Sequence, residues 1–265
     1  MQNSRLKDRV VLVFGAGSVG PGWGNGKASA VAYAREGAIV ICVDVKLEAA
    51  AETVGIIAGE GGRAEGHACD VTREVEIAAL VADVFARHGR IDILHNNVGF
   101  AKMGGPPDLT EAEWQLTLDL NVTGAFLACR HVIPIMQKQK RGVITNISSI
   151  AAIRYTGYPY AAYYAAKGAV NQFTVGLAVQ YAPEGIRANA IMPGMMDTPL
   201  IYQQISGQYK SQEEMVRARA AATPMGRMGT GWDIAHAAVF LATDEAGYIS
   251  GVCLPVDGAL TARCV

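Results

Sequence analysis

Tyr163 and Lys167 stand four residues apart in a helical pattern, shortly after the hydroxyl pair Ser148-Ser149. Residues at i and i+4 share a helix face, so this spacing holds an ammonium group beside a phenol. Positive charge there favours phenolate and draws the tyrosine below its usual pKa of about 10. Such a phenol can give or take a proton at an alcohol or ketone oxygen. A third polar residue, Asn121, falls within a helical pattern whose neighbours are Leu118, Leu120, Val122, Phe126 and Leu127. An amide is unfavourable there by propensity, so it either meets solvent or serves a polar site. The tyrosine–lysine spacing is weak evidence alone, because a chain of 265 residues with 10 Tyr produces such pairs on ordinary helix surfaces.

These groups need a frame, and the chain alternates strand and helix patterns. Residues 10–14 are apolar on both faces, as buried parallel strands are. A glycine-dense loop follows, then a helix over 27–35 closed by Gly37, then a second strand over 38–43 that ends at Asp44. Strand, glycine turn, helix, strand and acid together form a dinucleotide-binding arrangement. Gly15, Gly24 and Gly26 let backbone approach a pyrophosphate, and the helix N-terminus offers N–H groups. Asp44 can accept from an adenosine ribose 2′-hydroxyl and would repel a 2′-phosphate, which points to NAD over NADP. Further strands are predicted over 63–69, 91–95, 142–147, 185–192 and 252–256. The third runs into Asp70-Val71, the fourth into Asn96-Asn97-Val98-Gly99, and the sixth is broken by Pro193-Gly194. Helices are predicted over 47–57, from a Thr72 cap to 88, over 111–138 behind a Thr110/Glu113 capping box, through Tyr163 to about 182, and over 233–243. Residues 200–228 are helix-like but irregular, and 195–228 reads as a substrate lid. The expected fold class is α/β, a Rossmann-like doubly wound parallel sheet of about seven strands with helices on both faces. Residues 1–265 are expected to form one dinucleotide-binding and catalytic domain.

Composition removes other classes. A net charge of −1, a pI near 6.5 and the lack of a basic run argue against nucleic acid as a partner. No run of 18 apolar residues would span a membrane, and the polar N-terminus lacks a signal-peptide core. Five scattered Cys without Cys-x-x-Cys, and five His without ligand spacing, indicate reduced thiols in a cytoplasmic protein and no metal site.

Together, Gly15 with Gly24-Asn25-Gly26, Asp70-Val71, Asn96-Asn97-Val98-Gly99, Asn121, Ser149, Tyr163-x-x-x-Lys167, Pro193-Gly194 and Thr198 resemble the short-chain dehydrogenase/reductase family, in order and spacing, over nearly the whole chain. The resemblance implies a catalytic set of Asn121, Ser149, Tyr163 and Lys167. Tyr163 would be the general acid/base, Lys167 would tune it and hold the nicotinamide ribose, and Ser149 would orient the substrate oxygen. Asn121 would support a water linked to Lys167. Cofactor contacts would come from Gly15, Gly24, Asn25, Gly26, Asp44, Asp70, Val71, Asn97, Val98, Gly99, Tyr163, Lys167, Pro193, Gly194 and Thr198. The implied activity is NAD-dependent hydride transfer to or from a secondary alcohol or ketone, in a homotetramer. Several features depart from the family pattern. Phe14 replaces a small hydroxyl residue, and the glycine turn carries about five extra residues with Pro21 and Trp23 among them. Val98 replaces Ala, and Ser149 lies 14 residues before Tyr163 where 13 is usual, which leaves Ser148 as a competitor.

The candidate substrate walls are Phe100, Met103, Ile150, Tyr155, Tyr158, Tyr160, Met195, Met196, Tyr202 and Tyr209, which favour a hydrophobic or cyclic secondary alcohol. Arg154 reads as a solvated loop charge. Two alternatives remain at this level. One is an NADPH-dependent carbonyl or 3-oxoacyl-thioester reductase, with Lys27 or Lys46 meeting the 2′-phosphate; the other is a non-catalytic dinucleotide sensor on the same fold.

Overall fold

The computed structural model describes residues 4–264. Its centre is a parallel sheet of seven strands: β1 (Val10–Phe14), β2 (Ile39–Asp44), β3 (Arg63–Ala68), β4 (Ile93–Asn96), β5 (Gly142–Ile147), β6 (Ile186–Pro193) and β9 (Cys253–Val256). Their order is β3-β2-β1-β4-β5-β6-β9, with every neighbour parallel. All residues of β1 and β5 are buried, which explains the unbroken apolar character of β1 and of the first half of β5, where Thr145 and Asn146 are the buried polar exceptions. Each buried aliphatic side chain in such a strand contributes about 1.5–3 kcal/mol. The strand order reverses between β1 and β4, so the crevice for a ligand opens beyond the ends of these two strands.

Helices α1 (Asn25–Arg35), α2 (Leu47–Gly59), α3 (Glu74–His88), α4 (Glu111–Leu118), α5 (Gly124–Gln139), α6 (Ala161–Tyr181) and α9 (Gly231–Ala242) cover the sheet. Helix α4 opens on the expected capping box, with Thr110 and Glu113 each accepting from the other's backbone N–H. Thr72 does not cap α3. Its hydroxyl donates to Asp70 at 2.8 Å, and Arg73 takes the cap position. Helix α9 starts two residues before the expected Asp233, because Asp233 is the third residue of a capping box with Thr230.

The long helix expected over 111–138 is divided. Residues Asp119–Thr123 form a π-helical turn between α4 and α5, and Asn121 lies in it. The widened turn frees the Asn121 amide to donate to the carbonyls of Thr117 at 2.8 Å and Phe100 at 2.7 Å. Such turns recur where a helix must present a side chain to a site.

Residues 195–228 leave the sheet as an ordered excursion. A two-residue ladder, β7 (Met196–Asp197) against β8 (Gly229–Thr230), closes its base. Helices α7 (Pro199–Gln204) and α8 (Gln212–Ala222) lie within it.

A polar layer runs through the middle of the sheet. Asn96 donates to Asn146 at 2.8 Å, and Asn146 donates to Thr174 at 2.9 Å, which ties β4 and β5 to α6. On the other face His95 is buried against the Tyr33 hydroxyl at 3.0 Å, and its Nε2 has no partner. Burial holds the imidazole pKa down at about 3. The unfolded chain takes up this proton below pH 6.5, whereas the folded one does so only near 3. Stability is therefore complete above pH 6.5 and falls as pH drops from 6.5 towards 3, by up to about 1.4 kcal/mol per pH unit from this group. Urea unfolding at a series of pH values should show a shallower acid slope for His95→Gln than for the parent; equal slopes would contradict the assignment.

Candidate active site

The glycine turn is shaped by close packing. Gly15 adopts φ +75°, and its N–H and that of Ala16 both donate to the Val43 carbonyl. A Cβ on Gly26 would land inside van der Waals contact of the Gly15 carbonyl oxygen and the Asn97 amide. Glycine at 26 therefore lets α1 begin directly against the end of β1. Asn97 Nδ2 donates to the Gly15 carbonyl at 2.9 Å, linking the ends of β4 and β1 across the switch point.

Asp44 is positioned by two backbone donors, Gly17 at 3.1 Å and Lys46 at 3.2 Å. The extra residues of the turn do not hang free. Trp23 packs against Trp232 of α9 with ring centroids 4.7 Å apart, and the Val19 carbonyl accepts from Gln203 of α7 at 2.7 Å. Lys27 is turned away from the crevice. Its Nζ meets Glu52 at 2.5 Å and lies 5.4 Å from the centre of the Trp23 ring.

A cavity of about 600 Å³ runs along the carboxyl edge of the sheet. Gly15, Gly24, Asn25, Gly26, Asp44, Asp70, Val71, Asn97, Val98, Gly99, Ser149, Tyr163, Lys167, Pro193, Gly194 and Thr198 all line it. Asn121 does not; it sits behind the wall, in a small adjoining space with Asn96 and Asn146. Its Oδ1 and the Lys167 Nζ nevertheless flank the same backbone, each 3.4 Å from where a Cβ on Gly99 would stand. Of the expected substrate walls, Phe100, Ile150, Tyr158, Tyr160, Met195 and Met196 line the cavity, whereas Met103, Tyr155, Tyr202 and Tyr209 do not. Tyr155 is 74% exposed. Arg154 is exposed as well, and its guanidinium donates to the backbone carbonyls of Ile153 and Thr261.

The two adjacent serines differ in their environment. Ser148 is buried, and its hydroxyl donates to the Lys167 carbonyl at 3.2 Å. Ser149 Oγ accepts from the Ala151 N–H at 3.1 Å and lines the cavity together with the Tyr163 phenol. Lys167 is 2% exposed; its Nζ donates to the Ile147 carbonyl at 2.9 Å and lies 5.5 Å from the centre of the Tyr163 ring. Burial lowers the Lys167 pKa to about 7. Burial also pushes the Tyr163 phenol up, offset in part by the Ser149 hydroxyl. In the protein by itself, desolvation therefore outweighs the lowering of the phenol expected from the spacing alone, and it moves the two groups apart, the lysine down and the phenol up.

The tyrosine-rich loop before α6 is braced by Tyr164. Its hydroxyl donates to the Tyr158 carbonyl at 2.8 Å and accepts from the Thr156 N–H at 3.0 Å. Sequence reasoning did not single out Asn146, Tyr164 or the cavity residue Arg219. Only spatial neighbours distinguish them, since each sits in an ordinary helix or strand pattern.

A parallel sheet with a glycine turn at its switch point defines a dinucleotide-binding α/β protein. Comparison with known proteins carries this further. Residues 21–261 match a family model described as enoyl-(acyl carrier protein) reductase. The chain is 36% identical to 2-(S)-hydroxypropyl-CoM dehydrogenase 3 of Xanthobacter autotrophicus, over 98% of this chain and 99% of that protein. It is also 36% identical to cyclopentanol dehydrogenase of a Comamonas species, over 98% and 99% respectively. A crystal structure from Burkholderia xenovorans, described as a short-chain dehydrogenase/reductase, superposes with a TM-score of 0.92 at 45% identity, covering 98% of this chain and 99% of that one. The protein belongs to the short-chain dehydrogenase/reductase family and is an oxidoreductase of that family. Its relatives use nicotinamide dinucleotides.

Proposed function

We propose that this protein is an NAD-dependent dehydrogenase of secondary alcohols, acting in reverse as a ketone reductase. The observation that carries the proposal is the shared cavity. The Tyr163 phenol, Ser149 hydroxyl and Lys167 ammonium face the same space as the glycine turn and Asp44. The residues present fit a dinucleotide. Gly24 and Gly26 leave the start of α1 bare of side chains, and Asn25 Oδ1 is a buried acceptor without a protein partner at that wall. Gly15, Gly24, Asn25 and Gly26 would hold the pyrophosphate and Asp44 the adenosine ribose. Asp70 and Val71 would flank the adenine, and Asn97, Val98, Gly99, Pro193, Gly194 and Thr198 the nicotinamide half. With Lys27 committed to Glu52, the cation nearest Asp44 in the cavity wall is Lys46.

Bound NAD supplies the hydride acceptor. The chain's own residues do the rest. Ser149 holds the carbinol oxygen, and Tyr163 as phenolate removes its proton while the carbinol hydrogen departs as hydride. Lys167 stabilises the phenolate and holds the nicotinamide ribose. Asn121 Oδ1 and Lys167 Nζ meet at Gly99, where a bridging water would return the proton to solvent. Ketone reduction runs these steps backwards, with the phenol as donor.

Residues 195–228 act as a substrate lid hinged on the β7–β8 ladder, with the Gln203–Val19 hydrogen bond joining it to the glycine turn. Residues 1–265 act as one domain. The protein works in the cytoplasm as a homotetramer, supported by the exposed apolar side chains Phe126 and Val179 on α5 and α6. Among the described residues, no helix is long and apolar enough to cross a membrane.

The test is a screen of secondary alcohols and ketones against purified protein, read as NADH absorbance, with NADP(H) run in parallel. Preference for NADPH would favour the reductase reading, which Lys46 beside Asp44 supports. Tight NAD binding without turnover across the panel would favour a sensor.

A further inference from the structure

Arg219 projects from α8 into the cavity wall, 6% exposed. Its Nη1 reaches the Tyr158 hydroxyl at 3.5 Å, and its Nε is buried without any partner. No carboxylate among the described residues pairs with it. A guanidinium offers five N–H donors in a fork that matches a two- or three-oxygen anion. Burying such a charge without a counter-charge is expensive. The fold shows what a satisfied, largely enclosed arginine looks like: Arg187 donates to the carbonyls of Leu241, Thr243 and Ile249. Arg219 has no such set.

The surroundings say what the charge is for. It stands among the hydroxyls of Tyr158, Tyr160, Tyr202 and Tyr209, and its field opposes the rise that burial imposes on Tyr160 and Tyr209. Tyr158 also meets Tyr209 at 2.5 Å, so that hydroxyl is already engaged. From the Tyr163 ring, steps of 5.8 Å to Tyr160 and 5.6 Å to Tyr158 lead to the guanidinium. An aromatic floor thus joins the proton-transfer phenol to an unpaired cation.

We infer that Arg219 anchors an anionic group, a carboxylate or a sulfonate, on the part of the substrate remote from the carbinol carbon. The carbinol end of this inference rests on the dehydrogenase reading; the anion end rests on Arg219 alone. The substrate is then an amphiphile whose apolar chain lies along Tyr160 and Tyr158. Because α8 carries the cation, an anionic substrate also draws the excursion onto the cavity.

The test has a binding arm and a kinetic arm. Calorimetry with hexanoate, hexane-1-sulfonate and neutral hexanamide is run on the parent, Arg219→Gln and Arg219→Lys. The expected result is that one or both anions bind the parent roughly 10- to 100-fold more tightly than the amide. Arg219→Gln should abolish that difference and Arg219→Lys keep part of it. The parent should likewise favour 5-hydroxyhexanoate over 2-hexanol with NAD, chiefly through KM. No preference for anions in the parent, a result that needs no variant to fold, would overturn the inference. So would a preference that survives in folded Arg219→Gln. Anion binding that depends on Arg219, without turnover of any alcohol, would leave the anion site standing and remove the dehydrogenase reading. Turnover indifferent to charge would do the reverse.

Discussion

Tyr163→Phe is expected to lower kcat for alcohol oxidation by about 10²–10⁴-fold, the range general acid–base groups supply, while NAD affinity stays close to that of the parent. The substitution removes only the phenol oxygen. The ring retains its neighbours, Tyr160 at 5.8 Å and the Lys167 ammonium at 5.5 Å from the ring centre, so the cavity keeps its shape. What is lost is the group that removes the carbinol proton. The pH dependence should change too. Oxidation needs phenolate, so the parent's rate should climb with pH as the Tyr163/Lys167 pair loses protons. Reduction needs phenol and should hold at low pH and fall at high pH. Burial lowers Lys167 to about 7 and raises Tyr163, so the lysine gives up its proton first, and phenolate, with the rise in oxidation, comes only at higher pH. In Tyr163→Phe both profiles should flatten. Fluorescence titration with NADH, beside steady-state kinetics across pH, measures both quantities. Near-parental turnover in the variant would remove Tyr163 from the mechanism.

Asp44→Asn should move cofactor choice from NAD towards NADP, changing the ratio of the two kcat/KM values by about 10²–10³-fold. Hydrogen bonds to charged groups are worth about 1.5–3 kcal/mol, and relief of repulsion with a 2′-phosphate adds to the change in the ratio. Asparagine still presents one oxygen to the Gly17 or Lys46 N–H, so the turn should keep its form. Lys27 cannot readily swing in to help, since its ammonium is held by Glu52 beside Trp23. Lys46 is the cation at hand. Kinetics with each cofactor on a single alcohol decide the matter; a ratio unmoved by the substitution would mean that Asp44 does not read the ribose.

Much of the frame was legible because buried parallel strands announce themselves. Val10–Phe14 is apolar on both faces and Gly142–Ile147 is so apart from Thr145 and Asn146, and the expected strand ends agree with the structure within one or two residues. The acid at 44 and the asparagines at 96 and 97 fall at the carboxyl ends of strands because strand length and side-chain type coincide there. The π turn at Asn121 was not legible, since no glycine or proline stands within Asp119–Thr123 and the Gly124 that follows keeps helical backbone angles. The start of α9 was missed for a related reason: an aspartate at the third helical position and an aspartate at the cap look alike until Thr230 is seen to bond it. The expected lowering of Tyr163 omitted desolvation, which depends on everything packed around the ring. Arg219 was invisible for the same kind of reason. One arginine in the amphipathic run of α8 reads as a solvated charge, and only the fold shows that it is enclosed and unpaired.

The central claim is direct hydride transfer from a carbinol carbon to NAD with Tyr163 taking the proton. A secondary alcohol deuterated at its carbinol carbon, incubated with the protein and NAD, tests it most directly, with the dinucleotide product examined by mass spectrometry. The account predicts NADH carrying one deuterium and the matching ketone, formed by the parent and nearly lost in Tyr163→Phe. Unlabelled NADH, or no NADH from any alcohol that binds in the cavity, would contradict it.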